Sequence, residues 1–414
     1  MGPLFLVGLF LWFVNDGIRV LVDQDPSGFL QAEHLGYWLL WLLILLAVYT
    51  FADLNSWSGA PFYRRRLASA FCLQRKVEDG QVVAAELPYT TVTRLSESQP
   101  PLWSEDGKGG GDPAPELVIC AAVNVSDQAL VPPGRGAASF VFTHEKLGAK
   151  LGEQLGETNT RTFEEVLGKT WIREFTLMGA VATSGAAFAP SMGKMTKARY
   201  RLLMALFNLR LGLWLPNPSP AHAARWKSWQ ERPGWLRVIA LRPRPHYLVK
   251  EMLGFNHARD KFLYVTDGGH YDNLGLVELF RRRCTKIYCF DASGGAAGDF
   301  STLGEAIEVA RVDLGVEVTI DLGPMRPDPG LEGRSASDFA VGRFRYRDDG
   351  REGLLYFARA TLTPNLPLDV EVYLRKNPQF PHDPTFDQLF DEAQFEAYRQ
   401  LGRRAAINVL AGSD

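Results

Sequence analysis

Apolar runs of strand length alternate along most of the chain with stretches in which apolar residues recur every three or four positions. This alternation predicts helices between strands, and therefore an α/β layered fold. Extended segments are predicted at residues 82–95, 117–123, 140–143, 235–241, 262–265, 287–290 and 316–320, with a hairpin formed by 339–346 and 354–361. Helices are predicted at residues 67–73, 162–184, 197–215, 274–280, 303–314 and 386–408.

The segment of residues 262–295 is the most informative part of this pattern. A β-rich run leads to Asp267 and two glycines, which permit a sharp reversal of the chain. Asp272 can cap the helix that follows, and the next strand ends at Asp291. Such a β-α-β unit predicts a largely parallel sheet with a right-handed crossover. Ligands bind beyond the carboxyl ends of parallel strands, so Asp267 is expected at the edge of a binding site.

Asp267 has two interpretations on pattern alone. It can be a catalytic carboxylate, or it can close a turn and cap a neighbouring helix, as acids at strand ends often do. A third possibility is a metal site formed with His270 and Asp272, although the three residues match no firm ligand spacing. The sequence implies no metal and no organic cofactor.

The N-terminal residues differ from the rest of the chain. Residues 35–52 carry no charge over eighteen positions, near the lower limit for a helix that crosses a bilayer, with aromatic residues near both ends. Residues 3–14 form a second, shorter apolar run. One or two membrane helices are therefore predicted, with buried core helices as the alternative. This divides the chain into a membrane segment, residues 1–54, and a globular part, residues 55–414, which the basic residues after the apolar run place in the cytoplasm.

Composition narrows the class of protein. Apolar residues make up 46% of the 414 positions and charged residues 22%, so a substantial core is possible. The net charge is −2 and no long basic block is evident, which argues against a nucleic-acid partner. The four cysteines are widely scattered and match neither a zinc spacing nor a disulfide framework, so we expect reduced, mostly buried thiols.

Several segments together resemble a known family. The run that begins Asp267-Gly-Gly-His-Tyr-Asp-Asn-Leu-Gly is similar to the acid motif of bacterial patatin-like acyl hydrolases, the patatin-like phospholipases. Residues 61–67, 138–143, 184–193 and 391–398 also resemble that family, so the likeness extends from about residue 55 to the end. The resemblance implies a patatin-like layered fold and a Ser–Asp dyad in which Asp267 is the acid.

The chain departs from the family at the nucleophile. The family places its serine in G-x-S-x-G on a strained strand-to-helix turn, with a glycine-rich oxyanion turn before it. No serine here has glycine two positions away on both sides; Ser184 has Ala182 before it, and Ser293 has Asp291. In the family both motifs precede the membrane-like segment. We therefore expect this chain to be the C-terminal part of the enzyme, without its nucleophile.

Two further residues allow more than one interpretation. Ser184 could be a substitute nucleophile or a substrate contact, but the small residues around it favour close helix packing. Arg135 could bind a phosphate head group, or it could be an ordinary loop arginine.

The expected function is that of a membrane-attached lipid acyl hydrolase of which this chain shows only Asp267. Its expected substrate is a membrane lipid or a lipid-like ester. The alternative is a non-catalytic membrane scaffold that binds lipid or a protein, or a truncated product. The sequence does not identify a protein partner.

Overall fold

The computed structural model describes residues 8, 11–15, 17–19, 32–78, 81–88, 91–98, 115–152, 155–171, 173–384 and 390–412. The chain forms two compact units, Met1–Tyr271 and Asp272–Asp414, which we call the N-terminal and C-terminal units. The boundary predicted at residue 54 separates an apolar segment from the rest of the chain, whereas the two units are separated by compactness. The predicted boundary stays a prediction.

Besides the helical residues 11–15 and 17–19, the N-terminal unit contains eight helices and eight strands within its described residues. The helices are α1 Ala32–Phe51, α2 Ala60–Phe71, α3 Thr160–Leu167, α4 Leu177–Ser184, α5 Ala198–Leu206, α6 Pro220–Gln230, α7 Gly234–Ala240 and α8 His246–Leu253. The strands are β1 Leu73–Glu78, β2 Gln81–Glu86, β3 Ile119–Asn124, β4 Ala137–Phe142, β5 Lys146–Leu151, β6 Leu155–Asn159, β7 Leu213–Pro216 and β8 Phe262–Asp267.

A six-stranded sheet organises this unit. Its order is β6-β5-β4-β3-β8-β7, and every neighbouring pair is antiparallel. Strand β8 is buried at five consecutive positions, Phe262 to Thr266. Because successive side chains of a strand point to opposite faces, both faces of β8 must be covered. The rings of Trp171, Trp226 and Tyr247 surround Phe262 at centroid distances of 5.9, 5.4 and 5.5 Å and fix the start of this strand.

Helix α1 contains most of the apolar run that predicted a membrane helix. Trp41 is buried against the rings of Trp12 and Phe13. The C-terminal end of α1 is attached to the globular part, since the Tyr49 hydroxyl lies 3.0 Å from Nδ1 of His246.

The structure contradicts the prediction of one or two membrane helices. Within the described residues, no helix combines the length and the apolar character needed to span a bilayer. Part of the apolar run packs against protein instead, around Trp41 and at the buried residue Ala52. Residues 3–7 and 9–10 of the shorter apolar run lie outside the described residues.

The C-terminal unit contains a four-stranded sheet of order β10-β13-β14-β9 and a short two-stranded ladder, β11–β12. Only the β14–β9 pair of these sheets is parallel within the described residues. The predicted hairpin is confirmed as β13 and β14. The strands are β9 Lys286–Asp291, β10 Val316–Ile320, β11 Pro327–Asp328, β12 Arg334–Ser335, β13 Phe339–Tyr346 and β14 Glu352–Arg359, and the helices are α9 Leu276–Arg281, α10 Ser301–Leu314, α11 Leu368–Lys376 and α12 Glu392–Ala411.

The predicted fold class is wrong in its central feature. The protein is mixed α/β with mostly antiparallel sheets, one of them curled into a half-barrel, and not a patatin-like layered fold with a largely parallel sheet. Strands β8 and β9 belong to different sheets, so residues 262–291 do not form the expected parallel β-α-β unit. The local pattern identified both strands, but a sequence of elements does not specify which strands pair.

Other segments also differ from the expected secondary structure. Residues 162–184 are not one helix but contribute to α3 and α4, and of residues 82–95 only the part in β2 is a strand. Residues 235–241 were predicted to be extended, but helix α7 begins there directly after Pro233. Pro233 is the N-cap residue, where the N–H that proline lacks is not needed by the helix. Residues 197–215 were predicted as one helix, but α5 ends at Leu206 and Asn208 adopts a left-handed φ of 51°. That conformation terminates a helix, and β7 follows.

Candidate active site

Strand β8 ends at Asp267, and the turn after it is built from the aspartate itself. Oδ1 of Asp267 accepts a hydrogen bond of 2.6 Å from the amide of Gly269, which starts a short 3₁₀ turn over Gly268–His270. Gly268 is required by space, since a Cβ at this position would lie 2.7 Å from the carbonyl oxygen of Cys120 on β3. The glycine pair thus lets the turn lie directly on the neighbouring strand.

The environment of Asp267 favours a protonated carboxyl more than water does. Burial raises its pKa from 3.8 to about 6, and the Gly269 amide offsets only part of this effect. Within the part of the chain that the structure describes, that amide is the one hydrogen-bond donor to the carboxylate. A carboxylate offers about four acceptor positions, so the described residues leave most of those on Asp267 open to solvent or to a ligand.

The small-residue segment after α4 reaches the same place. The amide of Asp267 donates to the carbonyl of Ala186 at 3.3 Å. The hydroxyl of Tyr63, on α2, donates to the carbonyl of Gly185 at 3.0 Å. Burial raises the pKa of Tyr63, and the charge of Asp267 raises it further, so the phenol stays protonated beside the carboxylate. Three separate stretches of sequence therefore meet around Asp267.

Ser184 lies close to this turn but is not arranged as a nucleophile. Its Oγ donates a 2.6 Å hydrogen bond to the carbonyl of Cys120, next to Ala121, which pairs with Asp267 across the sheet. Ser184 is the last residue of α4. The C-terminal end of a helix carries a partial negative charge, which opposes an oxyanion. A nucleophile elbow instead places its serine before a helix.

His270 is held by a chain of hydrogen bonds beneath the turn. The amide of Asn124 donates to the hydroxyl of Thr266 at 2.9 Å, and that oxygen lies 2.8 Å from Nδ1 of His270. Thr266 therefore donates to Nδ1, and the other ring nitrogen donates to the backbone of Ala187. Burial lowers the pKa of His270 to about 4, so the ring is neutral at physiological pH.

Asn124 links this chain to a second loop, because its Oδ1 accepts from the amide of Gly193 at 3.0 Å. His270 is consequently a structural residue that fixes the turn and is not placed as a general base. Sequence reasoning did not single out Tyr63, Asn124 or Thr266. Asn124 had one signal, since it is a polar residue at the end of a buried apolar strand.

The other candidate residues have structural roles or no assigned chemistry. Oδ1 and Oδ2 of Asp272 accept from the amides of Leu274 and Val277 at 3.0 and 2.8 Å. Asp272 therefore satisfies one amide of the first turn of α9, as predicted, although the N-cap position itself is occupied by Gly275. Arg135 is half-buried in the turn before β4. In the described residues, no group of three His, Cys, Asp or Glu side chains is arranged to hold a metal ion.

A cleft lies at the opposite end of α4 from Ser184. It contains about 840 Å³ of space without protein atoms, part of it open to solvent. Its walls are largely apolar and include Ala68, Phe71, Leu87, Leu177 and Met178. Asp267 is not among the residues that line it. The cleft and Asp267 are instead connected through α2 and α4, which contribute to both places.

No protein-family model, no curated protein and no solved structure matches the chain.

Proposed function

We propose that the chain is part of a lipid acyl hydrolase in which Asp267 is the general base of a Ser–Asp dyad. The observation that carries the proposal is the state of the Asp267 carboxylate. It is half-buried, has a pKa of about 6, and accepts only one hydrogen bond from the described residues. A general base works best when its pKa lies near the working pH and when it has an unused lone pair.

The proposed reaction uses Asp267 as a proton carrier. A serine hydroxyl attacks the ester carbonyl and gives its proton to Asp267, while backbone N–H groups stabilise the oxyanion. Collapse of the tetrahedral intermediate breaks the bond to the alcohol, which leaves with the proton from Asp267. Water then attacks the acyl-serine and gives a proton to Asp267. Collapse of the second tetrahedral intermediate breaks the bond to the serine oxygen, which takes that proton back from Asp267 as the acid product leaves.

The nucleophile is proposed to be a serine in a G-x-S-x-G turn that these 414 residues do not contain. Ser184 is a poor substitute, because its hydroxyl is bonded to Cys120 and it follows a helix. The resemblance of the Asp-Gly-Gly segment to patatin-like enzymes suggests a membrane lipid or lipid-like ester as substrate. The apolar cleft beside α2 and α4 is a candidate binding place for an acyl chain.

The test compares residues 1–414 with the same protein extended by whatever reading frame upstream of Met1 encodes G-x-S-x-G. We expect residues 1–414 alone to leave p-nitrophenyl butyrate intact and to resist a fluorophosphonate probe, because only the base is present. The extended protein should hydrolyse the ester, with kcat/KM rising with pH through about 6 as Asp267 ionises.

The same experiment separates the alternatives. Activity that Asp267→Asn leaves unchanged would remove Asp267 from the mechanism. A fluorophosphonate adduct on Ser184 would make that residue the nucleophile. An upstream region without G-x-S-x-G, together with an inert protein, would favour the non-catalytic scaffold.

A further inference from the structure

The charged residues of the N-terminal unit are distributed unevenly. Residues 175–230 contain seven lysines and arginines and no aspartate or glutamate, although the whole chain has a net charge of −2. Extended to residue 250, the segment contains twelve basic residues and a single acid, Glu231. Arg210, Arg242 and Lys250 are paired with Glu251, Asp53 and Asp260, acids outside the segment, and Arg210 is buried. The exposed part of the excess includes Lys194, Lys197 and Arg199, and exposed cations of this kind attract an anionic partner whatever the net charge of the chain.

Part of this basic segment is also an exposed apolar surface. Lys194, Lys197 and Arg199 are exposed at the start of α5. The same helix exposes Leu202 and Leu203 by 54% and 53%. Leucines on a helix of a globular unit normally face its core. The exposed leucines of α5 therefore indicate a surface that binds a partner.

Helix α8 continues the surface. Helices α5 and α8 pack together, and Nε of Arg201 donates to the carbonyl of Met252 at 3.1 Å, near the end of α8. On α8 the side chains of Val249 and Leu253 are 51% and 53% exposed. We call the exposed side chains of residues 194–206 and 249–253 the α5–α8 face.

The chemistry of the face selects one kind of partner. We propose that the α5–α8 face docks on an anionic lipid surface. Aliphatic side chains bordered by lysine and arginine are suited to the headgroup region, where the leucines enter the acyl boundary and the cations meet lipid phosphates. A nucleic acid would be bound through hydrogen-bond donors and stacked aromatic rings, not through leucines.

The face also adjoins the candidate active site. Gly193 has a φ of +51°, and a Cβ there would lie 2.4 Å from the carbonyl oxygen of His270. The basic start of the face is therefore packed directly against the turn that carries Asp267. The inference rests on the proposed function only in taking a membrane lipid as the partner, and it does not require Asp267 to be catalytic.

The first experiment locates the contact in the full chain. Lysine acetylation is measured by mass spectrometry with no vesicles, with phosphatidylcholine vesicles, and with vesicles of equal parts phosphatidylcholine and phosphatidylglycerol. Lys194 and Lys197 should be protected by the anionic vesicles. Lys227, exposed on α6, is the internal control and should react at the same rate throughout.

The second experiment isolates the charge contribution. The ratio of partition onto anionic vesicles to partition onto neutral vesicles cancels apolar binding by other parts of the chain. At about 1 kcal/mol for each basic residue near the lipid, Lys194→Gln, Lys197→Gln and Arg199→Gln together should lower this ratio roughly 100-fold. The matched triple Arg225→Gln, Lys227→Gln and Arg232→Gln removes the same charge from another surface and should leave the ratio nearly unchanged.

Three results would overturn the inference. If the two triple variants lowered the partition ratio equally, the total positive charge of the protein, and not the α5–α8 face, would determine binding to anionic vesicles. Equal protection by neutral vesicles would mean that phosphate charge is not recognised. Protection of Lys197 by an upstream extension of the chain, and not by vesicles, would mean that protein covers this face. None of these readouts depends on ester hydrolysis, so the proposed function can fail independently.

Discussion

Strands β8 and β9 both end in an aspartate that is followed by a glycine-containing turn, but the two carboxylates are used differently. Asp291 is buried, and its oxygens accept from the amide of Ser293 at 2.8 Å and from the hydroxyl of Thr302 at 3.4 Å. Asp267 is less buried and accepts, among the described residues, only from the adjacent Gly269 amide.

The two aspartates differ in how many hydrogen bonds their carboxylate oxygens accept from the described residues. Asp291 contacts both the turn and the first residues of α10, so it holds a loop to a helix. Asp272, which caps α9, is a second example of a carboxylate whose two oxygens are both occupied. Asp267 holds only its own turn, although its burial has a cost. A half-buried carboxylate with a raised pKa and few hydrogen bonds from the described residues is a better indicator of chemistry than position at a strand end.

The largest expected effect is on catalysis. In a protein that supplies the serine, Asp267→Asn should lower kcat/KM by roughly 10³-fold or more, since an amide cannot accept the proton. Asp291→Asn is the matched control, because it makes the same change at the other strand end, and it should keep turnover within a few-fold. The kcat/KM values of the two variants are compared in a stopped assay of ester hydrolysis. Equal losses in both variants would mean that folding, not proton transfer, is affected.

The next effect concerns the space under the Asp267 turn. Gly268→Ala places a methyl group 2.7 Å from the Cys120 carbonyl, so the turn or β3 must shift, at a cost of about 2–3 kcal/mol. Gly234→Ala is the control, since nothing lies within 4 Å of the new methyl group. All ten tryptophans precede residue 272. Urea unfolding followed by tryptophan fluorescence therefore reports on the N-terminal unit, and equal midpoints for the two variants would contradict the predicted packing.

A smaller effect of opposite sign is expected for Asp267→Asn on stability. The pKa of Asp267 rises from 3.8 to about 6 on folding, so the native state holds a proton that the unfolded state releases. The free energy of unfolding should therefore decrease as pH rises from 4 to 6 and stay lower above that. Asp267→Asn should remove this decrease. The rise in pKa corresponds to about 3 kcal/mol, and because the carboxylate is partly exposed to solvent we expect a smaller gain, ~2 kcal/mol, in the stability of the N-terminal unit at pH 7, with little difference at pH 4.

The titration of the neighbouring His270 does not affect this comparison of the variant with the parent. The pKa of His270 falls to about 4 on folding, so its contribution increases stability with pH over the range in which that of Asp267 decreases it. Both proteins retain His270, and its contribution cancels in the difference between them. If the variant were less stable than the parent at pH 7, burial of ionised Asp267 would not destabilise the native state, and the prediction would be wrong.

Sequence patterns predicted local features of this region and missed the long-range ones. The end of β8, the glycine turn and the Asp272 cap follow from residues within a few positions of one another. The partners of β8 do not. Its buried run resembles a parallel strand, but β3 and β7 both run in the opposite direction. The approach of Gly185 and Ala186 to Asp267 depends on contacts some 80 residues apart, which no periodicity encodes.

The smallest effect concerns Ser184 and separates a packing serine from a nucleophile. Ser184→Ala removes its hydrogen bond to the Cys120 carbonyl and should cost about 1 kcal/mol. Ser98→Ala is the matched control, because the half-buried Ser98 Oγ makes the same kind of bond to the carbonyl of Leu95 at 2.6 Å. Both variants should keep the turnover and fluorophosphonate labelling of the serine-supplied protein. Loss of both signals in Ser184→Ala alone would contradict the packing role. Retention would leave Asp267 as the residue of this turn with an acceptor available for a proton, and the nucleophile would have to come from another serine.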